Sequence, residues 1–396
     1  MDIQRHRLQR ASSVVWRTTK ATLLCSSGNV LLPCVVLGIL AGQYDWNPAA
    51  IFALNFLAMF PLASILAFST DLLAEDLGTI MGGLINATFG NAVEMIVGIS
   101  ALREMEISIV QSSMIGSILS SILLILGCCF FASGLKTRLV SINRQVAGIL
   151  TSLLIISCAS LIVPSTLYAS DTSSDPRSDG PAAYILVLSR AASIVLLGFY
   201  DSKGDAEEDT NGIHNGIHDG IHDGIHDGIH DGIHDVHDDI HDVTHATEAP
   251  ADNLDKIPPF ASATVLIIAT IGVSVSSDFL VDSVDGMVEM LGVSRSFIGL
   301  IVVPIVGNAS CFVATVQWAM EGKIDLSVGV IVESTLQISL FVTPFLVVLG
   351  WIIGSPMSLE FDQFETLVLT VSVLVVNCLI RDGSTNYFEG LLLICT

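Results

Sequence analysis

Two stretches of the chain repeat one short motif of small, amide and acidic residues inside long apolar runs. The first is GGLINATFGNAVE over 82–94 and the second is GLIVVPIVGNASC over 299–311, so Gly-Asn-Ala recurs 217 residues apart. The first copy continues to Glu94, whereas the second has Cys311 at the matching position. A carboxylate inside an apolar run needs a partner that offsets its charge. The motif therefore predicts a cation site, and its two copies predict a transporter built from two related halves.

Oxygen atoms in the first motif are of the kind that a hard cation binds. The small and polar residues recur at every fourth position and are expected to share one helix face. They are Gly82, Asn86, Gly90 and Glu94. A cation would exchange water for oxygens of Glu94, Asn86 and Asn91 and for backbone carbonyls. The alternative is a protonated Glu94 that donates a structural hydrogen bond.

The offset of 217 continues into the next apolar run. Ser117 pairs with Ser334, and Gly116 pairs with Glu333. We predict that the two serines and Asn308 contribute further oxygen ligands to the cation site.

Glu333 gives the second half a carboxylate that the matching position of the first half lacks. Its apolar run lies between Asp325 and Pro344, so we expect the Glu333 side chain to be buried. Two interpretations stay open. In one, Glu333 joins Glu94 as a metal ligand and replaces the carboxylate lost at Cys311. In the other, Glu333 is a damaging substitution in a decaying copy.

The composition indicates an all-α membrane protein. The chain has 396 residues, 52% of them hydrophobic, and a mean hydropathy of +0.71. Most apolar runs are close to the roughly 20 residues that span a bilayer. They lie near 28–42, 49–69, 79–100, 109–133, 147–168, 182–200, 260–280, 296–320, 326–353 and 364–380, with a last run of ten residues at 387–396. We expect about 11 transmembrane helices, the last of them truncated.

Basic residues predict the orientation of these spans. If the N-terminus is cytosolic, alternate joints place twelve Lys or Arg residues on the cytosolic side and three on the other. Cytosolic joints carry such an excess of Lys and Arg. The pattern therefore favours a cytosolic N-terminus.

The joint at 201–256 is acidic and rich in histidine. It holds sixteen Asp or Glu residues, two Lys residues and nine of the ten His residues, around a repeated Gly-Ile-His-Asp unit. One Ile in four cannot build a core, so we predict a disordered cytosolic loop. The Asp spacing does not match an EF-hand loop, which favours a linker over a specific metal site. A weak buffer of cations and protons is a third interpretation.

Five stretches resemble the cation/proton exchanger family of the Ca²⁺/cation antiporter superfamily, the vacuolar Ca²⁺/H⁺ exchangers of fungi and plants, and the likeness is fungal in character. They are GGLINATFGNAVEMIVGI (82–99), GSILSSILLILG (116–127), SDFLVDSVDGMVEMLGVSRSFIGLIVVPIVGNA (277–309), LQISLFVTPFLVVLGW (336–351) and NYFEG (386–390). The resemblance implies one extra N-terminal helix followed by two inverted five-helix repeats. It also implies that a Glu from each half forms a central site.

The second motif departs from the family pattern, which is usually Gly-Asn-Ala-Ala-Glu-His. Here Cys311 and Phe312 stand where the Glu and His are expected, so this half of the site is degenerate. The implied organisation has four parts. They are the cytosolic N-terminus with the extra first helix (1–48), the first exchanger repeat (49–200), the acidic loop (201–256) and the second repeat, truncated in its last helix (257–396).

The resemblance implies a secondary active transporter of the vacuolar membrane that exchanges cytosolic Ca²⁺ for protons. Its partners would be Ca²⁺, protons and the lipid bilayer, with no cofactor and no nucleic acid. A homo-oligomer, or assembly with a related exchanger, stays open. The alternatives are a transport-inactive paralogue that regulates a functional exchanger and an exchanger with altered cation preference. An enzyme is not expected, because the chain shows no P-loop, Rossmann motif or nucleophile–base pair.

Overall fold

The computed structural model describes residues 16–137, 140–171, 180–209, 257–381 and 383–396, and helices dominate it. The helices of the first half are α1 (Trp16–Leu24), α2 (Leu32–Gln43), α3 (Pro48–Phe89), α4 (Ala92–Arg103), α5 (Ile107–Leu119), the π-helical segment π1 (Ser120–Ile125), α6 (Leu126–Lys136), α7 (Arg144–Asp171) and α8 (Gly180–Asp209).

The second half follows the same plan. Its helices are α9 (Pro259–Asp282), α10 (Val284–Leu291), α11 (Arg295–Phe297), π2 (Ile298–Val302), α12 (Val303–Gly307), α13 (Ala309–Met320), α14 (Ile324–Gln337), π3 (Ile338–Val342), α15 (Thr343–Ile353), α16 (Gln363–Arg381) and α17 (Tyr387–Cys395). Two short strands, β1 (Val140–Ser141) and β2 (Ser384–Thr385), pair antiparallel.

Several helices begin where local chemistry favours a start. Pro48 opens α3, and the preceding Asn47 accepts a hydrogen bond from the backbone N–H of Ala49 at 2.9 Å. Asn386 caps α17 in the same way, accepting from the N–H of Phe388. These contacts satisfy backbone donors that the first turn of a helix leaves unpaired.

Five helices of the described residues are long and apolar enough to cross a membrane. They are Pro48–Leu77, Ile107–Lys136, Pro259–Asp282, Ile324–Ile353 and Gln363–Arg381. Counting two sharply bent helix pairs as one span each raises this number to seven. The prediction of an all-α membrane protein is confirmed, while the total of 11 spans stays a prediction.

The internal repeat extends to the helix boundaries. Adding 217 to the bounds of α4 gives those of α13, and adding it to the bounds of α6 gives those of α15. Likewise α5 begins at Ile107 and α14 at Ile324. The π-helical segments π1 and π3 follow α5 and α14 at matching places. Such π-turns occur frequently at functional sites.

The turns after α4 and α13 also match. The N–H of Glu106 donates to the carbonyl of Ala101 at 2.9 Å, and the N–H of Lys323 donates to that of Trp318 at the same distance. Both turns need a residue with positive φ. Met105 fills that position in the first half (φ 62°) and Gly322 in the second (φ 90°).

Contacts divide the described chain into two compact units. Unit 1 comprises 16–96 and 257–291, and unit 2 comprises the described residues of 97–209 and 292–396. In unit 1, α3 packs along α9, where a Cβ added at Gly272 would lie 2.9 Å from the Leu62 side chain. The Asn55 amide donates to the carbonyl of Gly38 at 3.2 Å, which joins α2 to α3.

Unit 2 has two distinct ends. At the end that we call the Glu106 end, Arg295 pairs with Glu106 at 3.2 Å, and the Gln111 amide donates to the carbonyl of Ser358 at 3.0 Å. At the opposite, Lys136 end, the ammonium of Lys136 donates to the carbonyl of Met320 at 3.0 Å.

These ends fix the direction of the two repeats within unit 2. The span 107–136 begins at the Glu106 end and finishes at the Lys136 end. The span 324–353 runs the other way, since Asp325 accepts from the backbone N–H of Asn143 near the Lys136 end. Matching spans of the two halves are therefore antiparallel, as an inverted repeat requires.

The acidic joint begins later than the sequence predicts. Helix α8 continues to Asp209, so residues 201–209 are helical rather than disordered. A helix that is already formed can extend into a polar segment, because each added residue gains a backbone hydrogen bond without the cost of starting a new helix. The rest of the joint, 210–256, lies outside the described residues, as does the N-terminal stretch 1–15. The four predicted domain boundaries stay predictions.

The positive φ of Met105 should lower the folding stability of the first repeat. A side chain at positive φ costs about 1–2 kcal/mol, and glycine avoids that cost at the expense of about 0.5–1 kcal/mol of backbone entropy. We expect Met105→Gly to raise the midpoint of thermal unfolding in detergent. The matched control, Gly322→Ala, should lower it. A lower midpoint for Met105→Gly would contradict the strain at this turn.

Candidate cation site

Both copies of Gly-Asn-Ala break a helix at the asparagine. In the first copy, α3 ends at Phe89 and α4 begins at Ala92, which leaves Asn91 in the break. In the second copy, α12 ends at Gly307 and α13 begins at Ala309, with Asn308 between them. The two asparagines are 217 residues apart, so the breaks are equivalent.

Hydrogen bonds on both sides of the break keep it compact. The N–H of Met95 donates to the carbonyl of Asn91 at 3.1 Å, and the N–H of Phe312 donates to that of Asn308 at 2.9 Å. Each asparagine thus opens the second helix of its pair. A helix broken at mid-membrane leaves backbone carbonyls and a helix dipole available to an ion.

The prediction that four residues of the first motif share one continuous helix face is wrong. The break at Asn91 separates Asn86 from Glu94. The chain also turns back before the motif, because a Cβ at Gly82 would overlap the carbonyl of Ala74. In a straight helix residues eight apart are separated by about 12 Å. Glycine at 82 permits this close approach of backbone to backbone.

Burial separates the first-copy candidates into two groups. Asn91 and Glu94 are each only 3% exposed, whereas Asn86 is exposed. A carboxylate as deeply buried as Glu94 requires an offsetting partner, either a proton or a cation. Glu94 and Asn91 are therefore the stronger candidates in this copy, and the role of Asn86 stays a prediction.

The structure brings Asn308 of the second copy next to Ser117 of the first half. The Asn308 amide donates to the carbonyl of Ser117 at 3.3 Å, and both residues are buried. The Ser117 hydroxyl has no hydrogen-bond partner within the described part of the chain. A buried hydroxyl without a partner is costly unless a ligand or water satisfies it.

Ser121 belongs to the same cluster, although the sequence analysis did not select it. Its hydroxyl donates to Oδ1 of Asn308 at 3.4 Å. The signal was its spacing of four from Ser117, which places both serines on one face.

Helix α5 approaches the second motif closely because it carries a glycine. A Cβ at Gly116 would overlap the carbonyl oxygen of Leu300 in π2. A Cβ at Gly299 would lie 2.9 Å from the carbonyl oxygen of Ile109. This contact between glycine-containing helices sets the distance at which Ser117 meets Asn308.

Glu333 occupies the position that matches Gly116, and the expectation that it is buried is wrong. Its side chain is exposed, and Oε1 accepts a hydrogen bond from the Gln337 amide at 3.2 Å. The physical reason is size and charge: Gly116 lies in a close helix contact, where a carboxylate would not fit. Its role as a metal ligand stays a prediction.

The other second-copy candidates are less deeply buried than Asn308. Cys311, Phe312 and Ser334 are all half-buried. The carbonyl of Cys311 accepts from the Thr315 hydroxyl at 2.7 Å, a bond within α13. A thiol is a poor ligand for Ca²⁺, so Cys311 does not replace the missing carboxylate.

Glu365 is a second buried carboxylate, which the sequence analysis missed. It lies in the first turn of α16, is 4% exposed and accepts a hydrogen bond from the Ser112 hydroxyl at 2.6 Å. The available signal was an acidic residue at the start of the apolar run 364–380. Its partner is 253 residues away in the chain.

Antiparallel repeats with helices broken at equivalent asparagines are the architecture of a secondary transporter. Within that class, the chain belongs to the family described as the sodium/calcium exchanger protein, whose model matches residues 47–201 and 261–396.

Relatives and a solved structure agree with this family. The chain is 37% identical to the vacuolar calcium ion transporter of Schizosaccharomyces pombe, over 95% of this chain and 84% of that protein. It is 34% identical to the Ca²⁺/H⁺ antiporter of Synechocystis, over 93% and 94% of the two chains. The structure of native YfkE superposes with a TM-score of 0.73 at 29% identity, covering 93% of this chain and 96% of that one.

The two polar residues at the second break should affect stability in opposite directions. Ser117→Ala removes a buried hydroxyl without a partner and should stabilise the fold by about 1 kcal/mol. Asn308→Ala removes the acceptor of the Ser121 hydroxyl and the amide donor to the Ser117 carbonyl, and it should destabilise the fold by about 1–3 kcal/mol. Thermal unfolding in detergent measures both. Equal losses for the two variants would contradict this assignment of partners.

Proposed function

We propose that this protein exchanges Ca²⁺ for protons across the vacuolar membrane and so removes Ca²⁺ from the cytosol. The observation that carries the proposal is a buried carboxylate, Glu94, one turn beyond a helix break at Asn91. The similarity to a fungal vacuolar calcium transporter and a cyanobacterial Ca²⁺/H⁺ antiporter supports this choice of ions.

Competition at Glu94 explains how one site exchanges two ions. When Glu94 is ionised, its oxygens join amide and carbonyl oxygens in binding Ca²⁺, which takes six to eight oxygen ligands. When Glu94 binds a proton, its charge is neutralised and the cation loses its main electrostatic attraction. The empty ionised site is the costliest state in a low-dielectric interior, which disfavours crossing without cargo.

The oxygen ligands would include neutral groups. No cluster of three or more His, Cys, Asp or Glu side chains occurs among the residues that the structure describes. At the first break, Asn91 would supply an amide oxygen beside the carboxylate of Glu94. Such a ligand set suits a hard cation better than a soft one.

We assign the Lys136 end of unit 2 to the cytosol. This end carries Lys136, Lys323 and Arg381, whereas the Glu106 end carries Arg103 and Arg295. The greater number of basic residues at the Lys136 end supports this orientation. The N-terminus and the acidic loop would then also be cytosolic, and the Glu106 end would face the vacuole.

Radiolabelled Ca²⁺ uptake into vesicles that carry the protein tests the function. Under an imposed proton gradient, the wild type should accumulate Ca²⁺, and a protonophore should stop it. Glu94→Gln should abolish uptake, because the amide cannot alternate between a proton and Ca²⁺. Glu104→Gln is the matched control, since Glu104 is exposed in the turn after α4.

A wild type that folds correctly but takes up no Ca²⁺ would reject exchange and favour the regulatory paralogue. Uptake that persists in Glu94→Gln would instead remove Glu94 from the mechanism.

Two variants decide whether Glu333 is the second carboxylate. Because Glu333 is exposed and already accepts a bond from Gln337, we expect Glu333→Gln to leave Ca²⁺ uptake close to wild type. Cys311→Glu combined with Phe312→His should increase uptake, since it restores a hard oxygen ligand. Loss of uptake in Glu333→Gln would show that the carboxylate has been relocated to α14.

A further inference from the structure

Glu365 is a buried carboxylate that the exchange at Glu94 does not use. It lies in the first turn of α16 and is only 4% exposed. Its Oε1 accepts the Ser112 hydroxyl at 2.6 Å. A carboxylate at such a position in a membrane span is costly, and hydroxyl hydrogen bonds offset only part of that cost. A bound proton would offset the rest.

Glu365 lies at the Glu106 end, next to the helix that leads to Asn308. Its partner Ser112 belongs to α5, and a Cβ at Gly299 would lie 3.0 Å from the Cβ of Ser112. Gly299 is in π2, at the start of the second motif. The carboxylate is therefore attached through Ser112 to the contact between α5 and π2.

Buried hydroxyls also occur along α5 and π1 between Glu365 and Asn308. They belong to Ser112, Ser113, Ser117 and Ser121, which are between 0% and 3% exposed. At the helical rise of 1.5 Å per residue, Ser117 lies about 7.5 Å and Ser121 about 13.5 Å from Ser112 along the axis. The Ser117 hydroxyl, which lacks a hydrogen-bond partner in the described part of the chain, is one of these buried hydroxyls.

The charged groups around Glu365 are few. Asp362 is exposed and accepts a bond from the backbone N–H of Phe364, while Glu360 is half-buried in the same loop. At the start of α5, Glu106 pairs with Arg295. The helices α5 and α7 and the segment π1 pack against α16, and none of them carries Asp, Glu, Lys, Arg or His between its terminal residues.

We propose that Glu365 is a proton-exchanging carboxylate of the transport cycle, joined to the second motif through Ser112 and the contact between α5 and π2. This inference rests on the proposed Ca²⁺/H⁺ exchange. Ca²⁺ carries two charges, and with Cys311 in the second motif Glu94 balances only one of them by taking up a proton. Glu365 supplies the second proton-binding group.

The step is a proton transfer without redox chemistry. A hydronium ion at the Glu106 end gives its proton to a carboxylate oxygen of Glu365 and becomes water. The Ser112 hydroxyl then rotates from donor to acceptor of the hydrogen bond. In the return step Glu365 gives this proton to a water molecule, and the Ser112 hydroxyl becomes the donor again, so that Glu365 takes up and releases one proton without net change in the serine.

Two transport assays on one set of proteoliposomes test this inference. The first measures radiolabelled Ca²⁺ uptake driven by a proton gradient. The second measures exchange of radiolabelled Ca²⁺ for unlabelled Ca²⁺ without a gradient, a partial reaction that needs no proton. Glu365→Gln should lower the first by about 100-fold, the scale of a lost proton-transfer group, and the second by less than about twofold. Asp362→Asn is the matched control and should leave both rates unchanged.

Ser112→Ala is the second variant and keeps the carboxylate. Loss of a hydrogen bond to a charged group should lower proton-driven uptake by about tenfold and spare Ca²⁺/Ca²⁺ exchange. Proton-driven uptake that persists in Glu365→Gln would contradict the inference. If Glu365→Gln instead loses both reactions, Ser112→Ala decides: proton-driven uptake that persists in Ser112→Ala would then contradict the inference. A wild type that lacks both reactions would instead reject the proposed function.

Discussion

The need to satisfy polar backbone groups inside a membrane determines much of this structure. A helix that ends at mid-membrane leaves N–H and carbonyl groups that lipid cannot satisfy, so a break is tolerated only where protein or an ion provides partners. Both Gly-Asn-Ala motifs meet this condition through asparagine. Its carbonyl opens the next helix, and the side chain of Asn308 also joins two serines of a neighbouring helix.

In unit 2, the hydrogen bonds between Asn308 and the two serines depend on a close contact between helices. Gly116 lets α5 touch the backbone of π2, and the same contact holds Ser117 against Asn308. Small residues play this role in membrane proteins, where packing rather than hydrophobic burial drives helix association. A charged residue would not fit in such a close contact. Glu333, at the equivalent position of α14, is accordingly exposed.

The second constraint on this structure is the cost of burying charged side chains. The second motif lacks the carboxylate of the first, yet two acidic side chains are deeply buried among the residues that the structure describes, Glu94 and Glu365. One belongs to the first motif and the other to α16. A cation/proton exchanger needs groups that are neutral with protons and charged without them, and buried carboxylates meet that need. This division would let a degenerate repeat remain part of a working transporter.

The sequence predicted those features that depend on local pattern. Apolar runs indicated a helical membrane protein, and the offset of 217 agrees with the matching helix boundaries of the two halves. It did not predict features that depend on packing. The break at Asn91 looks like continuous helix in the sequence, because neither Gly90 nor Asn91 is a strong helix breaker in an apolar run. The bond from Ser112 to Glu365 joins residues too distant for periodicity to reveal.

In the exchange that we propose, Ca²⁺ and a proton compete for Glu94, the buried carboxylate beyond the first helix break. Titration calorimetry of the purified protein with Ca²⁺, in buffers of different ionisation enthalpy, counts the protons released for each ion bound. The account predicts proton release in the wild type that rises as the pH falls towards the pKa of Glu94, and Glu94→Gln should bind Ca²⁺ weakly with less proton release. Tight Ca²⁺ binding that releases no proton, or release that is unchanged in Glu94→Gln, would contradict it.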